Sequence, residues 1–488
     1  MNRIIAIDQS TSATKALLFN ESCQQLAQAS LAHQQFYPKT GWVEHDAEEI
    51  YQHTVETVRQ LVKASGDFSL AITNQRETIV VWDKASGKPV CHALVWQDTR
   101  GTALCDRWRS EGLEPLVQSR SGLKIDPSFC ASKIRWILDH IEGAREKAER
   151  GEVLAGTIDC WLVWKLTGGQ VHATDYTNAS RTMFFNIHTL DWDEDLLKAF
   201  DIPRRMMPEV RPCDAVYGET TVEGLFSEPV KIAGVLGDSH GALAGQMCFE
   251  AGTGKVTYGT GSSVMINIGT EPKPAPAGLV TSVGFSILGK TYYAFEGNIY
   301  STGATLKWLT DQIHLMDSPA EAEALATSVD DNGGVYLVPA FAGLGAPWWQ
   351  SGVKGAVFGM TFNTSRAHLV RAAVESIAYQ VKDLADAMLS GTGTRLKEIN
   401  ADGGPTRNGF LMQLQADLLG TDIVCTKVED ASALGAAVIG GFALKLWKTP
   451  EDVSRLKVIA RRISPDASHD TTADYAGWRK AVDQLIKK

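Results

Sequence analysis

The stretch IAIDQSTSATKALLF, residues 5–19, limits the possible folds more than any other part of the chain. Its flanks, Ile4-Ile5-Ala6-Ile7 and Ala16-Leu17-Leu18-Phe19, are short apolar runs, and runs of that length bounded by polar turns read as buried strands. The centre, Asp8-Gln9-Ser10-Thr11-Ser12-Ala13-Thr14-Lys15, is polar and tight. A hairpin tip that only reverses the chain is shorter and favours Asn-Gly or Asp-Gly. This tip carries an acid, several hydroxyls and a cation, which suit a Mg²⁺ ion and a phosphate chain.

The pattern extends on both sides. Residues 3–8, 14–20 and 25–33 are expected as three successive strands. Asp46 then caps a helix, with Glu49 three residues on and apolar Tyr51, Val55, Val58 and Val62 recurring at helical spacing. Leu70-Ala71-Ile72-Thr73 returns to strand. This order argues for a mixed sheet in an α/β protein. A similar order recurs later: Lys255-Val256-Thr257-Tyr258, the turn Gly259-Thr260-Gly261-Ser262-Ser263, then Val264-Met265-Ile266-Asn267-Ile268. Strands are expected at 279–286 and 291–296, with helices from near Gly303, over 368–388 and over 433–444. At 488 residues the chain exceeds a single core. Two related domains facing a cleft are expected, 1–245 and 246–488.

Four polar clusters carry the chemistry. The glycines around Thr260 let backbone N–H groups approach an anion. Asp402-Gly403-Gly404 follows a strand and precedes a helix over 408–419, an arrangement that brings backbone close to a nucleotide. Asp238, in the run GDSHG at 237–241, closes an apolar strand in the expected cleft and is placed to take a proton from a substrate hydroxyl; a plain helix cap is the alternative. Arg76 and Glu77, in Asn74-Gln75-Arg76-Glu77, offer donors and acceptors to a polyhydroxylated ligand; a surface ion pair is the alternative. The run Asp238-Ser239-His240 also raises a serine hydrolase, but no GxSxG elbow is present.

Composition excludes other classes. The net charge of −10 argues against a nucleic-acid partner. The eight cysteines form no CxxC pair, which reads as reduced thiols in a cytoplasm without a zinc site. No apolar run reaches the ~20 residues of a membrane span, and MNRIIAID leads directly into a strand, so no secretory signal is expected.

The chain resembles the FGGY carbohydrate kinases over essentially its whole length. The resemblance rests on NQRETIVVWDKASGKPV, LVWQDTR, DYTNASRTMFFNIHTLDW, NGGVYLVPAFAGLGAPWW and FLMQLQADLLGT. It rests also on Gly355–Met360 with His368-Leu369 and Ala372–Glu375, and partly on Lys133–Trp136, where Cys130 departs from the family pattern. It implies two ribonuclease-H-like (actin-like) domains and MgATP-dependent phosphorylation of a sugar or polyol. It implies Asp8 at the Mg²⁺, and Thr11, Ser12, Thr14 and Lys15 at the phosphates. Thr260, Gly303, Lys307, Gly404 and Asn408 are implied around the nucleotide, Asp238 as the base, and Arg76, Glu77 and Trp96 at the polyol. Ser10 and Lys307 depart from the usual residues. Ser128, Ser239 and Ser263 stand where glycerol kinases of this family carry larger side chains, which implies a widened pocket and an acceptor longer than three carbons: a tetritol, pentitol or ketopentose, as in pentulose kinases. A non-catalytic nucleotide-binding protein is the alternative outside enzymes. Homodimers or homotetramers are implied by analogy.

Overall fold

The computed structural model describes residues 2–62, 67–276, 278–390, 392–428 and 430–487. Two large mixed sheets dominate it. The first runs, in spatial order, Val216–Thr220, Val230–Gly237, Asp67–Asn74, Asn2–Gln9, Ala13–Phe19 and Gln25–Ala32. The second runs Val280–Ile287, Lys290–Ile299, Ser262–Gly269, Thr253–Tyr258, Glu398–Gly403, Asp422–Thr426 and Ile459–Ile463.

Strand directions show that the recurrence in the sequence is architectural. Asn2–Gln9 pairs antiparallel with the hairpin strand Ala13–Phe19 on one side and parallel with Asp67–Asn74 on the other. Thr253–Tyr258 likewise pairs antiparallel with Ser262–Gly269 and parallel with Glu398–Gly403. A further parallel strand and an antiparallel edge strand follow in each sheet. The second sheet adds Val280–Ile287 beyond Lys290–Ile299.

The helix Ala47–Leu61 begins as its sequence dictates, with the Asp46 carboxylate accepting from Glu48 N–H and Glu49 N–H. Helices Gly303–Asp311, Arg366–Leu389 and Gly409–Leu419 fall within a few residues of expectation. The helix Ala431–Ala443 crosses over. It follows the strand Asp422–Thr426 of the second sheet, yet packs on the first sheet and on the helix Asp238–Gly245. Gly435 permits this, because a Cβ there would collide with the Gly241 carbonyl. Ile4, Leu236 and Leu243 from the first part, Met265 and Phe285 from the second, and Leu434 and Val438 of this helix form one buried core between the sheets. Burying such side chains is the dominant favourable term that holds the halves together.

Candidate active site

Three adjacent parallel strands of the first sheet end level with one another. Gln9 pairs across to Asn74, and Asn74 to Gly237. Asp8, Arg76 and Asp238 therefore emerge at one edge, the carboxyl end of parallel strands where open α/β sheets bind ligands. Asp238 is the first residue of its helix, and Gly237 is the N-cap. The two acids share one space: Asp8 is raised to about 7 by burial, then by the charge of Asp238, against the opposing pull of Lys15.

Behind Asp238 lies a chain of buried, alternating charges. The Arg76 guanidinium donates both terminal N–H groups to Glu296, at 2.9 and 2.8 Å, a bidentate pairing that fixes its plane. Its Nε lies 3.0 Å from Asp238 Oδ1, off the N–H axis, so this contact is one of charge. Glu296 also meets Arg181 Nη1 at 2.8 Å, and Arg181 Nε donates to Glu77 Oε1 at 2.6 Å. Burial would push Glu296 up, but Arg181 and Arg76 hold it well below the usual carboxylate range. Arg76 and Glu77 thus do not form a surface pair; each is buried against a partner from elsewhere. Glu77 sits at φ 64, a conformation that costs a non-glycine residue energy and recurs at functional sites.

The turn after Asp8 is held from behind by side chains. Ser10 Oγ accepts from Ala13 N–H and donates to its carbonyl, so serine closes the turn at this position. Gln35 Nε2 donates to the Thr11 carbonyl at 2.9 Å, and Gln9 Nε2 to the Ser10 carbonyl at 2.7 Å. His33 Nε2 also contacts the Thr11 carbonyl, and the His33 and His45 rings lie 4.9 Å apart. On the open side, Trp96 Nε1 donates to Thr11 Oγ1 at 3.0 Å, which joins a predicted polyol contact to a predicted phosphate contact. Ser12 is exposed at the tip. Lys15 Nζ reaches Asp430 at 2.5 Å, just before the crossing helix.

The second sheet offers a different surface. The Gly259–Gly261 turn is closed by its own backbone, Gly259 N–H to Gly261 O at 2.8 Å. Thr302, Gly303 and Ala304 donate their N–H groups to the carbonyls of Thr260, Gly259 and Thr260, which docks the start of helix Gly303–Asp311 on the turn. Gly403, at φ +97, lies so close to Tyr258 that a Cβ would strike its carbonyl. Gly303, Gly404 and Asn408 converge on a cavity of about 350 Å³ with Leu306, Pro405 and Arg407. Asn408 also caps helix Gly409–Leu419 through Oδ1. Asp402, raised by burial, accepts from Gln246 Nε2 at 2.7 Å.

The remaining expected positions are placed as follows. Thr14 pairs with Gln9 while Lys15 pairs with Asp8, and alternate residues of a strand face opposite ways, so Thr14 faces away from Asp8. Its hydroxyl is buried without a partner. Lys307 leans toward Asp311, 4.0 Å away, with its side chain 75% exposed, and does not line the cavity. Ser128 lies in the loop next to Phe129, over which Arg181 stacks, but its hydroxyl donates to Asp126 at 2.7 Å. Ser239 follows Asp238, and its N–H donates to the Asp238 carboxylate. His240 is buried and meets Ser282, so Asp238-Ser239-His240 is no triad. Ser263 accepts from Lys255 Nζ at 3.1 Å. Sequence reasoning missed Glu296, Arg181, Asp430 and Lys255. Of these, only Lys255 carried a signal, a lone cation within an apolar strand.

Two facing mixed sheets, an acid-lined edge and a glycine-built cavity define a phosphotransferase cleft. The comparisons make the class specific. Residues 3–245 match the N-terminal domain, and 254–444 the C-terminal domain, of the FGGY family of carbohydrate kinases; the chain belongs to this family and is a phosphotransferase acting on an alcohol group. It is 45% identical to a glycerol kinase of Brevibacillus brevis over 98% of this chain and 97% of that one. It is 46% identical to glycerol kinase 1 of Thermotoga maritima, over 99% of each. The structure of Plasmodium falciparum glycerol kinase with ADP matches with a TM-score of 0.95 and 34% identity, over 100% of this chain and 98% of that one. A xylulose kinase from Lactobacillus acidophilus shares the fold, with a TM-score of 0.89 at 20% identity.

Proposed function

We propose that this chain transfers the terminal phosphoryl group of ATP to a hydroxyl of a small polyol or ketose, glycerol-like in class, with Asp238 as general base. The observation that carries the reading is the placement of Asp238. Its side chain is 36% exposed toward the cleft, level with Asp8, and held beside Arg76. A carboxylate fixed in this way can accept the proton of a hydroxyl brought within hydrogen-bond reach. Arg76, Glu77 and Trp96 orient the acceptor, with Ser128, Ser239 and Ser263 around it. Thr11, Ser12 and Lys15 face the phosphates, and Thr260, Gly303, Gly404 and Asn408 face the nucleotide. With the lobes taken as 1–245 and 246–488, the first supplies the base and the second the nucleotide bed. Closing them excludes the water that would otherwise receive the phosphoryl group.

Mg²⁺ fits the donor set. Among the described residues no group of three or more His, Cys, Asp or Glu side chains could hold a metal, but Mg²⁺ is commonly bound through one or two carboxylates and substrate phosphates. Asp8 would hold it: burial, and then the charge of Asp238, raises this carboxyl, and a cation beside it would relieve both. When bound, the ion neutralises charge on the phosphates.

Glycerol is the acceptor that the names of the relatives favour. The free state of all eight cysteines supports a reducing compartment, the cytoplasm. A homodimer or homotetramer is the expected assembly, and light scattering on the purified chain decides between them. The test of function is polyol-dependent release of ADP. Asp238→Asn should lower kcat by ~10²–10⁴ with ATP affinity retained. Near-normal turnover in that variant would remove Asp238 as the base, and ATP consumption indifferent to every polyol would remove the kinase reading.

A further inference from the structure

One face of the second sheet carries a row of polar groups beside Asp238. Lys255 and Met265 are cross-strand partners, as are Met265 and Glu296, Thr257 and Ser263, and Ser263 and Asn298. Directly opposed residues share a face, and alternate residues along a strand return to it. Lys255, Thr257, Ser263, Glu296 and Asn298 therefore stand on the same side, and Glu296 is the residue that grips Arg76 beside Asp238. This face looks onto the acceptor end of the cleft.

Lys255 is the unusual member. It is 1% exposed, and among the described residues its ammonium donates only to neutral hydroxyls, Ser263 Oγ at 3.1 Å and Thr257 Oγ1 at 3.3 Å. Among the described residues it forms no ion pair within 4.0 Å. The negative charges that offset it, those of Asp402, Glu296 and Asp238, act from further away. A buried ammonium is expensive unless it is fully hydrogen-bonded, and it has three donors to place. The two hydroxyls use two. In front of it, Ser263 is half-buried and its partner Asn298 is exposed, so small, polar side chains separate the ammonium from the cleft where a large apolar one would seal it off.

We propose that Lys255, Ser263 and Asn298 form a specificity site that hydrogen-bonds the far hydroxyls of an acceptor longer than glycerol, a polyol or ketose of four or five carbons. The inference rests on the polyol-kinase reading above and deepens it. Ser263 meets one oxygen while its own lone pairs are polarised by Lys255, and Asn298 offers both a donor and an acceptor to the next. A site built around such groups discriminates strongly, because a ligand lacking the matching oxygen leaves them unpaired.

The experiment measures ADP release by the purified full-length chain with glycerol, tetritols, pentitols and pentuloses, for wild type, Lys255→Met, Ser263→Phe and Asn298→Ala. The expected wild-type result is a kcat/KM for at least one four- or five-carbon acceptor at least tenfold above that for glycerol. Asn298→Ala, on an exposed position, keeps the test independent of folding. It and Lys255→Met should cut kcat/KM for the longer acceptor at least tenfold more than for glycerol, mainly through KM, and Lys255→Arg should recover part of the loss. Ser263→Phe should reverse the preference. A wild type that prefers glycerol to every longer acceptor, or variants that lose activity equally toward both, overturns this inference while leaving the kinase reading intact. Failure of the kinase reading looks different: no acceptor of any length stimulates ADP release.

Discussion

The two ends of the cleft are built from different materials. At the end proposed for the acceptor, position is set by charge. Glu77, Arg181, Glu296 and Arg76 form a buried series that ends at the half-exposed Asp238, and each cation in it lies between two anions. At the end proposed for the nucleotide, position is set by backbone. The Gly259–Gly261 turn, the first residues of helix Gly303–Asp311 and Gly403 are locked by main-chain hydrogen bonds and by approaches that only glycine allows. A charge series discriminates among hydroxylated acceptors but tolerates no missing member. A backbone bed accepts one kind of ligand and is indifferent to most nearby side chains.

The contrast can be broken most severely at Glu296. Glu296→Ala leaves two buried guanidinium groups without their shared partner, and losing one member of a buried pair costs ~3–5 kcal/mol. Chemical denaturation should show that loss, with kcat falling and the affinity of an ATP analogue nearly unchanged in calorimetry. A variant that loses nucleotide affinity instead would erase the distinction between the ends. The matching change at the other end is Gly403→Ala. The added Cβ meets the Tyr258 carbonyl at a left-handed φ, and strained backbone of this kind costs ~1–3 kcal/mol. The KM for ATP should rise and that for the acceptor should not.

A third prediction concerns the first turn. Burial, then the charge of His33, pushes His45 down to about 3. Because this lies below the unfolded value of ~6.5, the unfolded chain binds more protons in between. Stability from the neutral ring is complete above that value and is lost as pH falls through the window toward 3. His45→Asn should flatten the decline in urea midpoint between pH 6.5 and 4 relative to wild type. The smallest effect is expected at Thr14. Its hydroxyl is buried and unpartnered, so Thr14→Val should change stability by no more than ~1 kcal/mol and leave the KM for ATP unaltered. A raised KM would return Thr14 to the phosphate side.

The same contrast explains how much could be read from the chain. The turns proposed to face the nucleotide were legible as turns because glycine marks their geometry in the sequence: Gly259, Gly261, Gly403 and Gly404 sit at the ends of recognisable strands. Asp8 and Asp238 were legible for a related reason, as lone acids closing apolar runs. The charge series was not. Arg76 and Glu77 adjoin in sequence and suggest each other as partners, whereas their real partners, Glu296 and Arg181, come from distant segments that only the fold assembles. Thr14 faces away from Asp8 because strand alternation reaches further into the turn than its polar composition suggests. The crossing of helix Ala431–Ala443 left no local trace, because a helix rich in alanine and glycine suits either sheet equally well.

That crossing helix bears on how the polypeptide is made. The strand ending at Gly237 leaves the ribosome long before the helix beginning at Ala431 that covers it. Until the last part of the message is translated, the emerging N-terminal half carries an uncovered apolar sheet face, and a product cut short anywhere before Ala431 keeps it. Exposed apolar surface of this kind is prone to aggregate, so the N-terminal half produced by itself should be less soluble than the full chain, and supplying the missing helix alongside should raise its solubility.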